Sequence, residues 1–405
     1  MRIGIISTMF AAPWGGSEEL WADTARVALA DGFRVSICLP FRPRPSHMKW
    51  EALEAAGAET FCYAIERRNI RARQVARIVS ALHHDLGRQL GDRLSPLHAF
   101  FSTRPDVLLI NEGASIPALA VIDSVRRYHV PKPYVILSES NHGEVPDTTT
   151  RRQAGAFYRN AHWALFVSES NLRATERQLI QRLAKARVIR NSINLSCIDP
   201  VPWPVDRTLR LASVARLHAS SKGQDILFEV LKDPRWRNRD WRLSLYGKGP
   251  DEVYFKELSA FYGLDNRVTF RGQTEDIREV WHTHHALVLP SRAEGTPLAM
   301  VEAMLCARPV ISTAVAGIPE WVQHGRSGFI ADAPTVSSYG VALETAWQQH
   351  AQWRTMGANA REDALRLYDP TPDHTLLRIL TQTVRTGQEV PPNIEPSART
   401  SSYTT

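Results

Sequence analysis

The sequence predicts an α/β protein built from two doubly wound domains that face each other across a cleft. Short apolar runs alternate with longer amphipathic stretches from end to end, which indicates parallel strands covered by helices on both faces. The alternation pauses once, at the proline-rich segment 200–204, and then restarts. A chain of 405 residues also accommodates two domains of ordinary size.

The first domain is assigned to residues 1–200, because its apolar runs predict a complete parallel sheet. A helix is predicted over 17–30, after the glycine pair Gly15-Gly16, with Ser17 as its N-cap. The predicted strands are 2–8, 34–39, 106–110, 134–137, 164–167 and 187–189.

The second domain is assigned to residues 205–365, where the same alternation predicts a second sheet. In such sheets ligands bind at the carboxyl ends of the strands, which would face the cleft. A helix at 366–385 is expected to pack back toward the first domain, and the Pro-, Ser- and Thr-rich tail 386–405 is predicted to be disordered. The predicted strands are 209–214, 242–246, 267–270, 286–289 and 309–312.

Composition indicates a globular protein in the cytoplasm. The chain is 43% hydrophobic and 22% charged, and no apolar run approaches the roughly 18 to 20 residues of a membrane span. The first residues begin a strand and lack a cleavage site, so we expect no signal peptide. The four cysteines, at 38, 62, 197 and 306, have no metal-like spacing and are expected to be reduced thiols.

The net charge of +7 lies entirely in residues 1–200, which carry 26 Lys and Arg against 19 Asp and Glu. This excess favours an anionic partner, either an anionic membrane surface or a phosphorylated acceptor, although a generally basic protein is equally consistent. The arginine-rich segment 67–90 is either a lipid-binding amphipathic helix or an ordinary surface helix. No recognition motif indicates nucleic acid. Peripheral association with the inner face of the membrane is therefore an alternative to a purely cytoplasmic location.

The most informative motif follows the apolar run 286–291. Pro297 is predicted to be the first residue of a helix. Glu294 then lies in the preceding loop, and the amides of Gly295 and Thr296 form an anion-binding helix N-terminus. Glu302 lies about a turn and a half into the helix. Two carboxylates beside a phosphate-binding corner suggest a sugar nucleotide as the ligand.

Two cations and several glycines stand at other strand ends. Arg216 and Lys222 fall in one strand-to-helix loop and can hold phosphate, or they can be surface residues that cap nearby carbonyls. Gly247 in the segment 246–250 allows close approach of a ligand, or simply a turn. Gly15 and Gly16 at the first strand-to-helix loop favour a ligand contact.

These motifs resemble the retaining, nucleotide-sugar-dependent glycosyltransferases of the GT-B fold, glycosyltransferase family four or glycosyl transferases group 1. The two glutamates with Arg216 and Lys222 upstream are the specific part of the match. The resemblance further rests on the Gly-Gly loop 15–16, the segment Arg-Asn-Ser-Ile-Asn at 190–194, and the segments 247–250, 290–291, 309–311 and 317–320.

The resemblance implies a role for each site residue. Arg216 and Lys222 would neutralise the donor diphosphate, Glu294 would hold hydroxyls of the transferred sugar, and Glu302 would bind the ribose. The amides from Gly295 through Thr296 and Pro297 to Leu298 would surround the phosphates and the sugar, with Gly15, Gly16 and Gly247 nearby. The cations would make a metal unnecessary, so no cofactor is expected.

The chain also departs from the family pattern. It has Asn191-Ser192 where the family often has Asn-Gly, and Ala316-Gly317 where Gly-Gly is common. The nearest candidate for the catalytic histidine of the first domain is His142. Glu139 and Glu144 are further candidates for contact with the acceptor.

The predicted function is transfer of a hexose-type sugar from a nucleoside diphosphate to a glycan, glycolipid or other acceptor, in cell-surface polysaccharide assembly. The alternatives are a non-catalytic nucleotide-sugar-binding scaffold and an epimerase or phosphorylase of the same architecture. The cluster His282, His284 and His285 is interpreted as packing at a helix end rather than as a metal site.

Overall fold

The strands of the computed structural model form two separate, wholly parallel sheets, which confirm the predicted α/β class. The structure describes residues 1–9, 14–43, 47–63, 97–113, 119–139, 145–274 and 276–386. The predicted basic segment 67–90 and nearly all of the predicted tail therefore lie outside the described residues. None of the helices in these ranges is long and apolar enough to cross a membrane.

The first sheet has seven strands in the order β3-β2-β1-β4-β5-β6-β7. Its central strands are buried along almost their whole length, which explains their unbroken apolar runs. The order reverses between β1 and β4, where ligands bind in doubly wound sheets. The strands are β1 Arg2–Ser7, β2 Arg34–Leu39, β3 Glu59–Cys62, β4 Val107–Glu112, β5 Tyr134–Ser138, β6 Trp163–Phe166 and β7 Ala186–Val188.

Six described helices accompany this sheet. The first begins at Gly16 with Gly15 as its N-cap, so the prediction of Ser17 as the N-cap is wrong; Ser17 lies in the first turn, where its hydroxyl donates to Glu18. The helices are α1 Gly16–Ala30, α2 Met48–Ala55, α3 His98–Ser102, α4 Leu119–Tyr128, α5 Thr148–Asn160 and α6 Glu169–Leu179.

The second sheet has six strands in the order β10-β9-β8-β11-β12-β13. The strands are β8 Leu209–Val214, β9 Trp241–Tyr246, β10 Val268–Gly272, β11 Ala286–Leu289, β12 Val310–Thr313 and β13 Gly328–Ala331. The helices in this half are α7 Ala219–Lys222, α8 Gln224–Leu231, α9 Glu252–Phe261, α10 Ile277–Thr283, α11 Leu298–Leu305, α12 Ile318–Trp321, α13 Val336–Gln348 and α14 Trp353–Leu367.

The last helix, α15 Pro372–Thr386, packs on the first half of the chain. Leu376, Leu377 and Leu380 join the apolar core formed by α1 and the first sheet. The hydroxyl of Thr24 in α1 donates to the carbonyl of Asp373 over 3.4 Å. The helix begins later than the predicted residue 366, because α14 continues through Leu367.

Candidate functional site

The carboxyl ends of the two sheets meet at a seam between the halves of the chain. Thr296 Oγ1, before α11, donates to the carbonyl of Val167 over 2.9 Å, immediately after β6. The Glu320 carboxylate accepts hydrogen bonds from the amides of Glu169 (3.2 Å) and Ser170 (2.9 Å) at the start of α6. This arrangement follows the rule that places ligand sites at strand carboxyl ends.

Glu294 is the best-fixed side chain of the site. It lies in the loop after β11 and is 6% exposed. Its Oε1 accepts from the Ser291 hydroxyl and its Oε2 from Lys222 Nζ, each over 2.7 Å. The structure thus brings together two of the residues that the sequence predicted, 72 positions apart in the chain.

The backbone around Gly223 holds Lys222 in place. Gly223 has a φ of +67°, and a Cβ there would lie 2.1 Å from the carbonyl oxygen of Pro290. The amides of Arg292 and Ala293 both donate to the carbonyl of Ser221, over 2.8 and 3.0 Å. Only glycine fits this close approach, so the loops that carry Lys222 and Glu294 are locked to each other.

Arg216 follows β8, next to Gly247. A Cβ on Gly247, whose φ is +133°, would lie 2.0 Å from the carbonyl oxygen of Ala215, so this glycine packs against the Arg216 loop. Gln224 Nε2 donates to the carbonyl of Arg216 over 2.8 Å. Within the described part of the chain, the half-buried Arg216 guanidinium has no hydrogen bond or ion pair. Among the described residues it therefore has no counter-charge.

The loop that leads into α11 approaches the first sheet closely. A Cβ on Gly295 would lie 1.8 Å from the carbonyl oxygen of Glu139, just after β5. Pro297 is the N-cap of α11, with an extended ψ of 120°, so its prediction as the first helical residue is wrong by one position. No side chain caps this helix, which leaves the amides of its first turn available to an anion. Leu298 begins the helix.

Glu302 lies inside α11 and is 3% exposed. Its Oε1 accepts from the amide of Asn194 over 2.9 Å. Burial raises its pKa to about 7, although the hydrogen bonds from Asn194 lower it and the nearby Glu19 raises it further. In this structure the carboxyl group binds the backbone between the two halves; contact with a ribose stays a prediction.

The glycine pair of the first half lies across the seam from the start of α11. A Cβ on Gly16 would lie 3.2 Å from Leu298 Cδ1, whereas a Cβ on Gly15 would meet nothing within 4 Å. Gly15 is extended, with a φ of −160°. Gly16 therefore stands beside the predicted phosphate-binding loop.

Sequence reasoning missed two buried carboxyl groups at the carboxyl edge of the first sheet. Glu18 accepts from the Ser7 hydroxyl and Glu112 from the Tyr158 hydroxyl, each over 2.6 Å. Burial raises the pKa of both. The only sequence indication was the polar pair Asn111-Glu112 at the end of an otherwise apolar strand.

Glu139, a predicted contact of the acceptor, lies at the same edge and is 4% exposed. The predicted His142 and Glu144 lie outside the described residues. Of the histidine cluster, His284 Nδ1 donates to the carbonyl of Val280 and His285 Nδ1 accepts from the amide of Arg210. In the described ranges no three His, Cys, Asp or Glu side chains are placed to hold a metal ion.

Comparison with known proteins confirms the family resemblance in the second half. Residues 208–349 match the family model described as glycosyl transferases group 1. This segment contains Arg216, Lys222, Gly247 and both predicted glutamates.

Two curated relatives align with part of the chain. The N-acetyl-alpha-D-glucosaminyl L-malate synthase of Bacillus anthracis is 33% identical over 126 residues, which are 30% of this chain and 32% of that protein. The putative colanic acid biosynthesis glycosyltransferase WcaL of Salmonella typhimurium is 27% identical over 185 residues, 44% of this chain and 45% of that protein. The chain thus covers less than half the length of either relative.

A solved structure matches almost the whole fold. Anabaena Alr3699/HepE in complex with UDP has a TM-score of 0.70 and 20% identity, and the match covers 94% of this chain and all of that one. Together with the two parallel sheets, the likeness shows the GT-B fold.

Proposed function

We propose that this chain, which carries a glycosyl transferases group 1 segment at residues 208–349, transfers a hexose-type sugar from a nucleoside diphosphate to a glycan, glycolipid or other acceptor. The observation that carries the proposal is the Lys222–Glu294 ion pair, whose charged atoms are 2.7 Å apart. The pair lies before the N-terminus of α11, which no side chain caps. Such a site offers positive charge to a phosphate and a fixed carboxylate to neighbouring hydroxyls.

The charges around the site suit a diphosphate. Arg216 has no counter-charge among the described residues, whereas Lys222 forms an ion pair with Glu294. The start of α11 adds its amides and the positive end of the helix dipole. A bound diphosphate would supply the missing negative charge, and Arg216 could hold it with two parallel hydrogen bonds.

The same groups account for the chemistry. When the bond between the anomeric carbon and the diphosphate oxygen breaks, negative charge develops on the diphosphate, where fixed cations stabilise it. The acceptor oxygen forms the new bond to the same carbon, and its proton passes to the departing diphosphate. Attack on the face that the diphosphate leaves retains the anomeric configuration. Because Arg216 and Lys222 provide the charge, the proposal requires no metal.

The relatives support a biological setting for the proposal. A relative described as a putative colanic acid biosynthesis glycosyltransferase supports assembly of a cell-surface polysaccharide. The UDP in the Anabaena complex supports a nucleoside diphosphate as donor. We further propose that the enzyme acts in the cytoplasm. The excess positive charge of residues 1–200 supports contact with the inner face of the membrane.

The test is a thermal-shift panel of UDP-, GDP-, ADP- and TDP-sugars, because a ligand of the native state raises the melting temperature. We expect one sugar nucleotide to respond in the presence of EDTA. Lys222→Ala and Arg216→Ala should lose that response, whereas the exposed control Lys256→Ala should keep it. The absence of any response would contradict the proposal.

A turnover assay separates the enzyme from its alternatives. Release of nucleoside diphosphate that depends on an added acceptor, with product of retained configuration by NMR, is expected for a glycosyltransferase. Binding without turnover would favour the scaffold, and epimerisation without an acceptor or phosphate-dependent cleavage would favour the other two activities.

A further inference from the structure

A second ion pair joins the same two stretches of chain as the Lys222–Glu294 pair. Arg292 lies two residues before Glu294, and Asp225 lies three residues after Lys222. Arg292 Nη1 donates to Asp225 Oδ1 over 2.6 Å, and Arg292 Nη2 donates to Asp225 Oδ2 over 2.7 Å. Two parallel hydrogen bonds between planar groups fix the direction of an ion pair as well as its distance.

The same guanidinium also contacts the chain before Lys222. Arg292 Nη1 donates to the carbonyl of Ala219, the first residue of α7, over 2.7 Å. Lys222 is the last residue of α7, and Asp225 lies in the first turn of α8. Arg292 therefore holds the chain at two points, one on each side of Lys222 in the sequence.

The helix that carries Lys222 depends on contacts with its neighbours. α7 is a single turn of four residues, none of which is buried, and a single turn is not stable by itself. The carboxylate of Asp251 accepts from the amide of Ala219 over 2.8 Å, but Asp251 is the N-cap of α9. Of these two side chains, Arg292 is the one that connects α7 to the loop of Glu294.

The side-chain contacts of Arg292 add to what the backbone fixes. The backbone contacts at Ser221 and Gly223 hold the two loops together, but these residues are only two positions apart. Contacts so close to each other fix the distance between the loops better than the angle between them. The contacts of Arg292 lie at Ala219 and Asp225, six positions apart, so they also fix the angle. The angle sets the direction of the lysine at the end of α7.

The exposure of the pair separates its effect on position from its effect on stability. The side chains of Arg292 and Asp225 are 32% and 25% exposed, and ion pairs at this level of exposure contribute little to folding. The position of a charged group in a site matters far more, because a displacement of about 1 Å can lower a rate by about 100-fold. Loss of the pair is therefore expected to change the site while the fold stays intact.

We propose that Arg292 and Asp225 are positioning residues that hold Lys222 toward the diphosphate of the donor, and this rests on the proposed glycosyltransferase function. The pair acts through Lys222 and does not itself bind the ligand, because three hydrogen bonds to Asp225 and Ala219 already occupy the Arg292 guanidinium. The alternative role for Arg292 is that of a third cation for the phosphates. The two roles predict opposite effects when the charge of Asp225 is removed.

Isothermal titration calorimetry on the full chain, in the presence of EDTA, distinguishes these roles. The probes are inorganic pyrophosphate and the nucleoside diphosphates UDP, GDP, ADP and TDP. Asp225→Asn keeps the shape of the side chain and removes its charge, whereas Arg292→Lys keeps the charge and removes the planar fork. Each variant should raise the Kd of pyrophosphate, and of the nucleotide that binds, by about tenfold. If Asp225→Asn tightened binding instead, the freed Arg292 would be a ligand of the phosphates and the proposal would be wrong.

Another bidentate ion pair in the same half provides the matched control. Arg239 donates to both carboxylate oxygens of Glu344, over 2.8 and 2.7 Å, and neither residue lies in a loop with a predicted site residue. Arg239→Lys and Glu344→Gln should leave every Kd within about twofold of the wild-type value. All four variants should melt within about 4 °C of the wild type. An equal loss of affinity in the control pair would contradict the positioning role, because the effect would then be general destabilisation.

The rate at which acetic anhydride acetylates Lys222 reports the position of this side chain without any ligand. Lys222 Nζ donates to Glu294, and the lysine side chain is 23% exposed, so a displaced lysine should react faster. Peptide mass spectrometry should show Lys222 reacting about fivefold faster in Asp225→Asn and Arg292→Lys than in the wild type. The exposed Lys256 serves as the internal reference. An unchanged rate in both variants would refute the proposal.

The binding data also separate this proposal from the proposed function. A wild-type protein that binds none of the diphosphates refutes the proposed function. A wild-type protein that binds one of them, with the same Kd in the Asp225 and Arg292 variants, refutes the positioning role alone.

Discussion

Replacing Glu302 by Gln should make the protein more stable at alkaline pH and leave its stability at acid pH unchanged. The carboxyl group is 3% exposed and accepts hydrogen bonds from Asn194. A glutamine has the same shape and can accept the same bond from the amide of Asn194. The substitution therefore removes little except the ability to ionise in a buried place.

The magnitude follows from the pKa. Burial raises the pKa of Glu302 from 4.5 to about 7, so the native state holds a proton that the unfolded chain loses between these values. The contribution of the protonated Glu302 to the free energy of unfolding is complete below pH 4.5 and is lost as the pH rises through about 7. One pKa unit is worth ~1.4 kcal/mol, which gives about 3 kcal/mol in favour of the glutamine variant above about pH 8.

Thermal unfolding of both proteins across the pH range measures this difference. For a domain of about 150–250 residues, 1 kcal/mol corresponds to a change of roughly 2–4 °C in melting temperature. The variant should therefore melt about 6–12 °C above the wild type at about pH 8.5, and the two proteins should have the same melting temperature at about pH 4.5. Glu257→Gln, on the exposed face of α9, controls for the loss of one surface carboxylate. A difference that stays constant with pH, or a variant less stable than the wild type at about pH 8.5, would refute the reasoning.

Two further predictions concern the packing that positions the site. Arg308 is fully buried and donates to the carbonyls of Val201 and Pro202, among others. Because a lysine offers fewer donors in another geometry, Arg308→Lys should lower the free energy of unfolding, measured by chemical denaturation, by about 3 kcal/mol or more. Gly295→Ala should hold the halves apart, because its Cβ would lie 1.8 Å from the carbonyl oxygen of Glu139; small-angle scattering should show a larger radius of gyration, and Gly340→Ala, with no contact closer than 3.6 Å, should not.

The fold was predictable because parallel strands buried on both faces leave unbroken apolar runs. The two missed strands lack that pattern. β3, with sequence Glu-Thr-Phe-Cys, is an edge strand without a fully buried residue, and the apolar run of β13 is only three residues long, after Gly328. Neither contains a run that distinguishes it from a loop.

The second half of the site was more predictable than the first. Lys222 ends the short helix α7 after β8, and Glu294 lies in the loop after β11. Because β8 and β11 are neighbours in one sheet, the order of strands alone brings these residues to one edge. The predicted start of α11 was wrong by one residue because Pro297 has an extended ψ. This ψ depends on the preceding loop, in which Thr296 donates to the carbonyl of Val167. Such a contact across the seam has no local pattern in the sequence.

Contacts within the first half were hidden for a related reason. The hydroxyl of Ser7 holds Glu18, and Asn191 holds Glu139 from 52 positions away. A lone glutamate next to a strand is most often a surface residue. Only the fold shows that these carboxyl groups are buried and that their partners are neutral hydroxyl and amide groups.

The two sides of the seam differ in the charge they present, and this difference orders the proposed reaction. The second half offers Arg216, Lys222 and the start of α11, which suit a diphosphate on which negative charge grows. The first half offers Glu18 and Glu139, whose neighbourhood disfavours added negative charge. In the proposed reaction, a departing diphosphate would therefore be drawn toward the second half. The bond that breaks would then lie along the direction from one sheet to the other, and the approach of Gly295 to Glu139 sets where the two sides meet.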